Sequence, residues 1–303
     1  MKKFLFVLVV MGLVFFSGPV WAEDGFYIGG DLGIAVAPDM NMTAWDNDVD
    51  TRCDRFINND GSGNYAVPPN SDRNCAPYDR DSANWSQMFD GGSGILAGAS
   101  LGYRMGSFRV EGEYFYRSTT YDDLSPIPGN VQGKEAELLV SEGGVDDVLS
   151  HNFFANLYYD YRSDSKFTPY VGVGVGFSRV SLDFYNRWAR NYDPARLPTF
   201  SDNADLNRRL AGTTSIARAK LSDTLFGYQV LAGVDYQVSE PVSIGLKFRW
   251  ADFGEFEDGR EWDQLRSHDS AIGPEPGSPR VRYTAVTDDI QFWGVSLNMK
   301  YQF

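Results

Sequence analysis

The chain has 303 residues, with 41 acidic against 27 basic side chains, 43% hydrophobic and 15% aromatic content, 31 Gly, two His and two Cys. A formal charge of −14 excludes a nucleic-acid binder, which needs clustered Lys and Arg to neutralise phosphates. Two His and two Cys leave little for a metal centre built on those ligands, so no cofactor is expected. The apolar fraction excludes a mostly disordered chain, yet no long apolar run follows residue 22.

Lys2 and Lys3, the apolar stretch Phe4 to Phe16 and the small-residue end at Ala22 form a secretory signal. Residues 1–22 are expected to be removed, leaving 23–303 as one barrel domain. Export permits a disulfide, and Cys53 with Cys75 is the single intramolecular pairing available.

Eight period-2 alternations follow. They run through Phe26 to Val36, Ile95 to Met105, Phe108 to Arg117, Leu149 to Tyr161, Val171 to Phe177, Phe226 to Tyr236, Val242 to Trp250, and Trp293 to Phe303. Each is near the ~9–11 residues that a tilted strand needs to cross a bilayer. Gly106-Ser107, Arg162 to Lys166 and Ser239-Glu240-Pro241 are short links between them. The other connections, about 38–93, 118–147, 187–222 and 254–288, are long. Short turns alternating with long loops are the layout of an eight-stranded antiparallel transmembrane up-and-down barrel, with long extracellular loops and both termini periplasmic. A water-soluble barrel would carry its apolar face inward. Here the apolar and aromatic face is set for lipid, with Tyr236, Tyr159, Phe108, Tyr301 and Phe303 at one edge and Trp250 and Trp293 at the other.

The terminal Tyr301-Gln302-Phe303 resembles the C-terminal signal read by the barrel assembly machinery. Asn152 to Asp160, Tyr170 to Gly176 and Leu246 to Gly254 resemble strands of the small outer-membrane barrel superfamily, which includes opacity-type proteins, alphaproteobacterial surface antigens and the barrel half of outer membrane protein A. The resemblance implies a bacterial outer-membrane location and contact with outer-membrane lipid and lipopolysaccharide. It covers strands and turns and none of the loops, so it carries no loop ligand across.

By alternation the lumen receives Asp31, Glu111, Glu113, Asp160 and Asp235 with Arg104, Arg109, Arg117, Lys247, Arg249 and Lys300. An eight-strand barrel is wide enough only for its own side chains. Near-balanced charge in so narrow a tube reads as a plug; the alternative is a narrow small-solute channel through the same network.

The first loop has ten acids against four bases, the second seven against one and the fourth eight against four. The third reverses sign, with Arg187, Arg190, Arg196, Arg208, Arg209, Arg218 and Lys220 against three acids. Docking onto acidic neighbours, contact with lipopolysaccharide phosphates and a solvated loop remain open readings of it. Asp46 to Asp50 and Asn58 to Gly63 are oxygen-rich enough for Ca²⁺ but miss the EF-hand spacing, so a polar turn-rich loop is the preferred reading. Trp45, Trp85, Trp188 and Trp262 are expected in loops, as binding anchors or small loop cores.

His268-Asp269-Ser270 has a passing likeness to the His-x-Ser segment of outer-membrane lipid A deacylases, but it falls in a loop, and His151 lacks a paired nucleophile. A lipid-modifying enzyme is therefore the remote alternative. The sequence reads as a monomeric, non-enzymatic barrel with an adhesin-like or surface-antigen-like role and a host or surface ligand held by its loops.

Overall fold

The computed structural model describes residues 24–46, 85–121, 125–126, 138–197, 214–262 and 281–303, with 204, 207–208 and 211–212 between them. The strands are β1 (Gly25–Val36), β2 (Met40–Asp46), β3 (Trp85–Phe89), β4 (Ser93–Met105), β5 (Phe108–Thr120), β6 (Ser125–Pro126), β7 (Leu138–Asp160), β8 (Phe167–Arg190), β9 (Thr214–Gln237), β10 (Val242–Trp262) and β11 (Val281–Gln302). Eight of them, β1-β4-β5-β7-β8-β9-β10-β11, pair antiparallel in that order, and β1 pairs with β11 to close the ring. All eight alternating runs of the sequence lie on these strands, with only Tyr161 and Phe303 one residue past a strand end. The fold is an eight-stranded antiparallel barrel.

The turns are tight where the sequence supplies the residues for them. Met105 pairs with Phe108, leaving Gly106-Ser107 as a two-residue loop, and Gly106 takes the positive φ of 56° that such a turn favours. The first described residues and the C-terminus lie at this end of the barrel, with Gly25 opposite Arg104 and Tyr27 opposite Gln302.

The far end differs from the sequence reading. Three strands have 12–13 residues, but β7 to β11 have 21–24. At about 3.4 Å per residue, a 24-residue strand is roughly 80 Å long, more than twice what ~9–11 residues span. Much of what reads as the second, third and fourth loops is therefore wall. Trp45, Trp85, Trp188 and Trp262 lie on β2, β3, β8 and β10, not in loops. Within the first long connection, β2 pairs with β11 above the end of β1, and β3 pairs with β2.

The reason is a change of phase along the long strands. On β8 the outward residues begin as Val171, Val173, Val175 and Phe177, then become Arg179, Ser181 and Asp183. The inward residues begin as Tyr170, Gly172, Gly174 and Gly176, then become Val180, Leu182 and Phe184. Val173 is 57% exposed and Val180 is 0% exposed, on opposite faces of one continuous strand. The partner strand β9 switches at the same level: Phe226 is outward beside Phe177, while Thr224 and Ser222 face outward beside Arg179 and Ser181. Below the switch the wall is built for lipid outside; above it the wall is built for water outside and an apolar core within. That core includes Met42, Phe89, Val145, Leu182, Phe184, Leu221, Phe256 and Ile290. In β10 the change is accompanied by a bulge, where Gly254 has φ 69° and the register shifts between Asp252 and Glu257.

Candidate functional site

The bore of the membrane-spanning part is filled in three levels. At the turn end Arg109, fully buried, holds Asp160 Oδ1 through Nε and Nη2 at 2.9 and 2.8 Å. Its guanidinium lies 4.7 Å from the Tyr158 ring centre and 4.8 Å from that of Tyr170. Lys300 Nζ donates to both Asp235 oxygens at 2.7 and 2.6 Å. Arg104 reaches Gln302 Oε1 at 2.9 Å and lies 3.6 Å from Asp160. A cavity of about 130 Å³ opens below this level, lined by Tyr27, Arg104, Asp160, Asp235 and Lys300 among others.

The middle level centres on Glu113. Its Oε1 accepts from Lys247 Nζ at 2.8 Å and Arg249 Nη2 at 2.6 Å, and its Oε2 from Asn156 at 2.9 Å and Gln229 at 3.2 Å. Lys247 also reaches Asp31 at 3.3 Å. Glu111 accepts from the Tyr27 and Tyr158 hydroxyls, each at 2.9 Å. Charges taken out of water this completely are tolerable only when each finds its partner, and this level supplies them.

The third level is apolar. Phe115, Phe154, Phe253 and Phe292, one each from β5, β7, β10 and β11, touch in a closed ring with centroid separations of 5.8, 5.8, 6.4 and 6.0 Å. Arg249 lies 3.9 Å from the Phe115 ring centre on the charged side. Arg117 lies beyond the quartet, 4.6 Å from the Phe292 ring centre, with Nε donating to Ser150 Oγ at 3.2 Å.

The structure thus brings ten of the eleven lumen residues named from sequence into two touching levels and separates Arg117 from the acids by the phenylalanine layer. Tyr27, Tyr158, Tyr170, Asn156, Gln229 and the quartet were not singled out in the sequence, although they occupy the same inward positions of the alternation. The outer wall carries two aromatic belts. At the turn end, Phe26–Tyr103, Phe108–Tyr159, Phe167–Tyr236 and Tyr301–Phe303 pair at 4.8 to 5.5 Å. Tyr114–Phe153, Phe177–Phe226 and Tyr228–Trp250–Trp293 form the other belt. His151 faces outward at the latter belt with Nδ1 2.8 Å from Tyr114 Oη. Of the basic third connection, Arg187 pairs with Glu142 across β7 and β8 at 3.1 Å. Cys53, Cys75, His268-Asp269-Ser270, Asn58 to Gly63 and nearly all of Asp46 to Asp50 lie outside the described residues.

A closed ring of eight strands with an apolar outer belt, two aromatic girdles and a polar interior defines a bacterial outer-membrane barrel. The chain belongs to the Opacity family: the model of the opacity family porin proteins matches residues 101–273. Opacity protein opA52 of Neisseria gonorrhoeae is 24% identical over 194 residues, covering 57% of this chain and 75% of that protein. Opacity protein opA66 of the same organism is 22% identical over 191 residues, covering 57% and 74%. The outer membrane protein OprG of Pseudomonas aeruginosa aligns over 93% of this chain and 98% of its own, at 13% identity and a TM-score of 0.42. Neisserial surface protein A aligns over 92% and 97%, at 14% identity and 0.39.

Proposed function

We propose that this protein is a non-enzymatic, surface-exposed interaction protein, adhesin-like or surface-antigen-like, whose membrane barrel is a closed anchor. The observation that carries the reading is the filled bore beneath a wall that continues past the lipid belt with a water-type exterior and its own apolar core. Such a wall carries the upper strand ends, and the ligand-binding surface proposed beyond them, away from the membrane. In this reading residues 1–22 are cleaved, the turn end and both termini face the periplasm, Cys53 and Cys75 staple the first connection, and Tyr301 and Phe303 serve assembly of a monomer. The test is binding to cells, matrix proteins and glycans by a non-adherent bacterial host displaying the full chain, with and without reductant. Binding supports the reading, and sensitivity to reductant assigns the first connection as the working surface; no binding to any of them rejects it.

A narrow channel is the second reading, favoured by the porin description of the family and by the cavity at the turn end. It requires the Glu113 level and the phenylalanine quartet to part.

A further inference from the structure

The charges of the two lower levels of the bore balance, five acids against five bases. Arg117 is the base left over, and it lies alone above the phenylalanine quartet, 0% exposed. Its Nε donates to Ser150 Oγ at 3.2 Å, while Nη1 and Nη2 are buried without an acceptor and form no ion pair among the described residues. The acids of the wall above are engaged elsewhere. Asp39 accepts from the Gly91 N–H at 2.7 Å, and Asp258 pairs with Arg260 at 2.9 Å. Asp223, three strands along the same register row, accepts from the Thr224 and Glu257 N–H groups at 2.6 and 3.3 Å. A guanidinium held this far from water is costly unless something supplies the opposite charge.

The groups around it are a surplus of donors. The N–H bonds on Nη1 and Nη2 have no acceptor. Ser150 Oγ already accepts from Arg117 Nε and from Asn152 Nδ2, the latter at 3.0 Å, so its own hydroxyl proton is directed to a third atom. Thr119, the next inward residue on β5, and Ser178, opposite Asn152 on β8, carry buried hydroxyls without a partner. Against these donors stands one unpartnered acceptor on the neighbouring strand, Asn152 Oδ1. A water molecule brings two donors of its own to such a level, where donors are already in excess. An anion brings acceptor capacity and the missing charge together.

We infer that this level is an internal binding site for one small monovalent anion, a halide or an anion of similar size, held by Arg117 Nη1 and Nη2 with the Ser150 and Thr119 hydroxyls. Enclosure selects the class. One buried positive charge matches one negative charge, and the anion must shed its water, which a halide does at lower cost than phosphate or sulfate. Arg117 and Thr119 belong to β5 and Ser150 to β7, so the anion joins two strands in the register row of Val180, where the wall has just changed from its lipid-facing to its water-facing half. The site stands on the charge and donors of this level and is independent of which end of the barrel faces outward.

The test uses the refolded full chain and bromide as the probe. Crystals soaked in sodium bromide and measured at the bromine absorption edge should show an anomalous peak at hydrogen-bonding distance from Arg117 Nη1 or Nη2. In lipid vesicles, replacing gluconate by bromide at constant ionic strength should raise the urea midpoint of the wild type relative to that of Arg117→Met, and the dependence on bromide concentration gives the affinity. Ser150→Ala should weaken that affinity about tenfold or more, the scale of one hydrogen bond to a charge, and Arg117→Met should abolish the dependence. Heat-dependent gel mobility verifies that both variants are folded. Wild-type and Arg117→Met midpoints that move alike with bromide overturn the site, as do anomalous peaks confined to the surface. An equal rise with sulfate at matched ionic strength overturns the assignment to a small monovalent anion.

Discussion

Removing the Glu113 carboxylate should cost more stability than removing any other single charge of the lumen. Glu113 is buried and serves four donors from three strands: Lys247 and Arg249 on β10, Asn156 on β7 and Gln229 on β9. In Glu113→Ala, Lys247 keeps Asp31 at 3.3 Å, but Arg249 keeps only the Gln229 amide oxygen at 3.0 Å and the Phe115 face. Breaking a buried pair by deleting one partner costs about 3–5 kcal/mol, because the remaining charge stays buried without its counter-charge. Glu113→Gln keeps the shape and a neutral acceptor, and should lose about 1.5–3 kcal/mol, the scale of a charge-assisted hydrogen bond. The quadruple replacement Asp31→Asn, Glu113→Leu, Lys247→Met and Arg249→Met removes both acids and both bases together, Lys247 being also the partner of Asp31, and should return to near wild-type stability. Urea titration of protein refolded into lipid vesicles, followed by tryptophan fluorescence and heat-dependent gel mobility, reads all three. Glu113→Ala within about 0.5 kcal/mol of wild type, the scale of an ordinary surface substitution, would refute the reasoning.

The phase switch on β8 predicts opposite tolerance on one face of one strand. Val173→Arg, in the lipid belt, should cost about 2–4 kcal/mol by the same titration, and Ser181→Arg, above it, close to nothing. Leu182→Asp should expose the upper connections to protease on intact cells while leaving the membrane span folded, since Leu182 belongs to the upper core. At the β1–β11 seam, a Cβ at Gly33 would overlap the Val295 carbonyl oxygen. Gly33→Ala should therefore impair barrel closure, seen as loss of the folded band on a gel. Oxidised wild type should run faster than reduced protein on a gel if Cys53 and Cys75 are joined, and their double Ser variant should show no such shift.

The barrel was legible because lipid and lumen sort side chains residue by residue. Val171 to Phe177 set against Gly172, Gly174 and Gly176 announces a strand, its two faces and its register at once. The same parity places Asp31, Glu113, Lys247 and Arg249 inside, and their pairing is a consequence of width. What the alternation hid was the upper wall, because the apolar set changes faces. Arg179-Val180-Ser181-Leu182 still alternates, but out of phase with Val175 and Phe177, so a reading that follows one face sees a strand end. The Gly254 bulge hides the change further in β10. The phenylalanine quartet was hidden for a different reason. Its members come from four strands, and only the closed ring brings them to one height.

Single-channel recording from the refolded full chain in a planar bilayer tests the closed anchor most directly. The filled Glu113 level and the quartet of Phe115, Phe154, Phe253 and Phe292 predict no discrete conductance above leak. Reproducible channel openings would contradict it and make the lumen, not the raised rim, the working part of the protein.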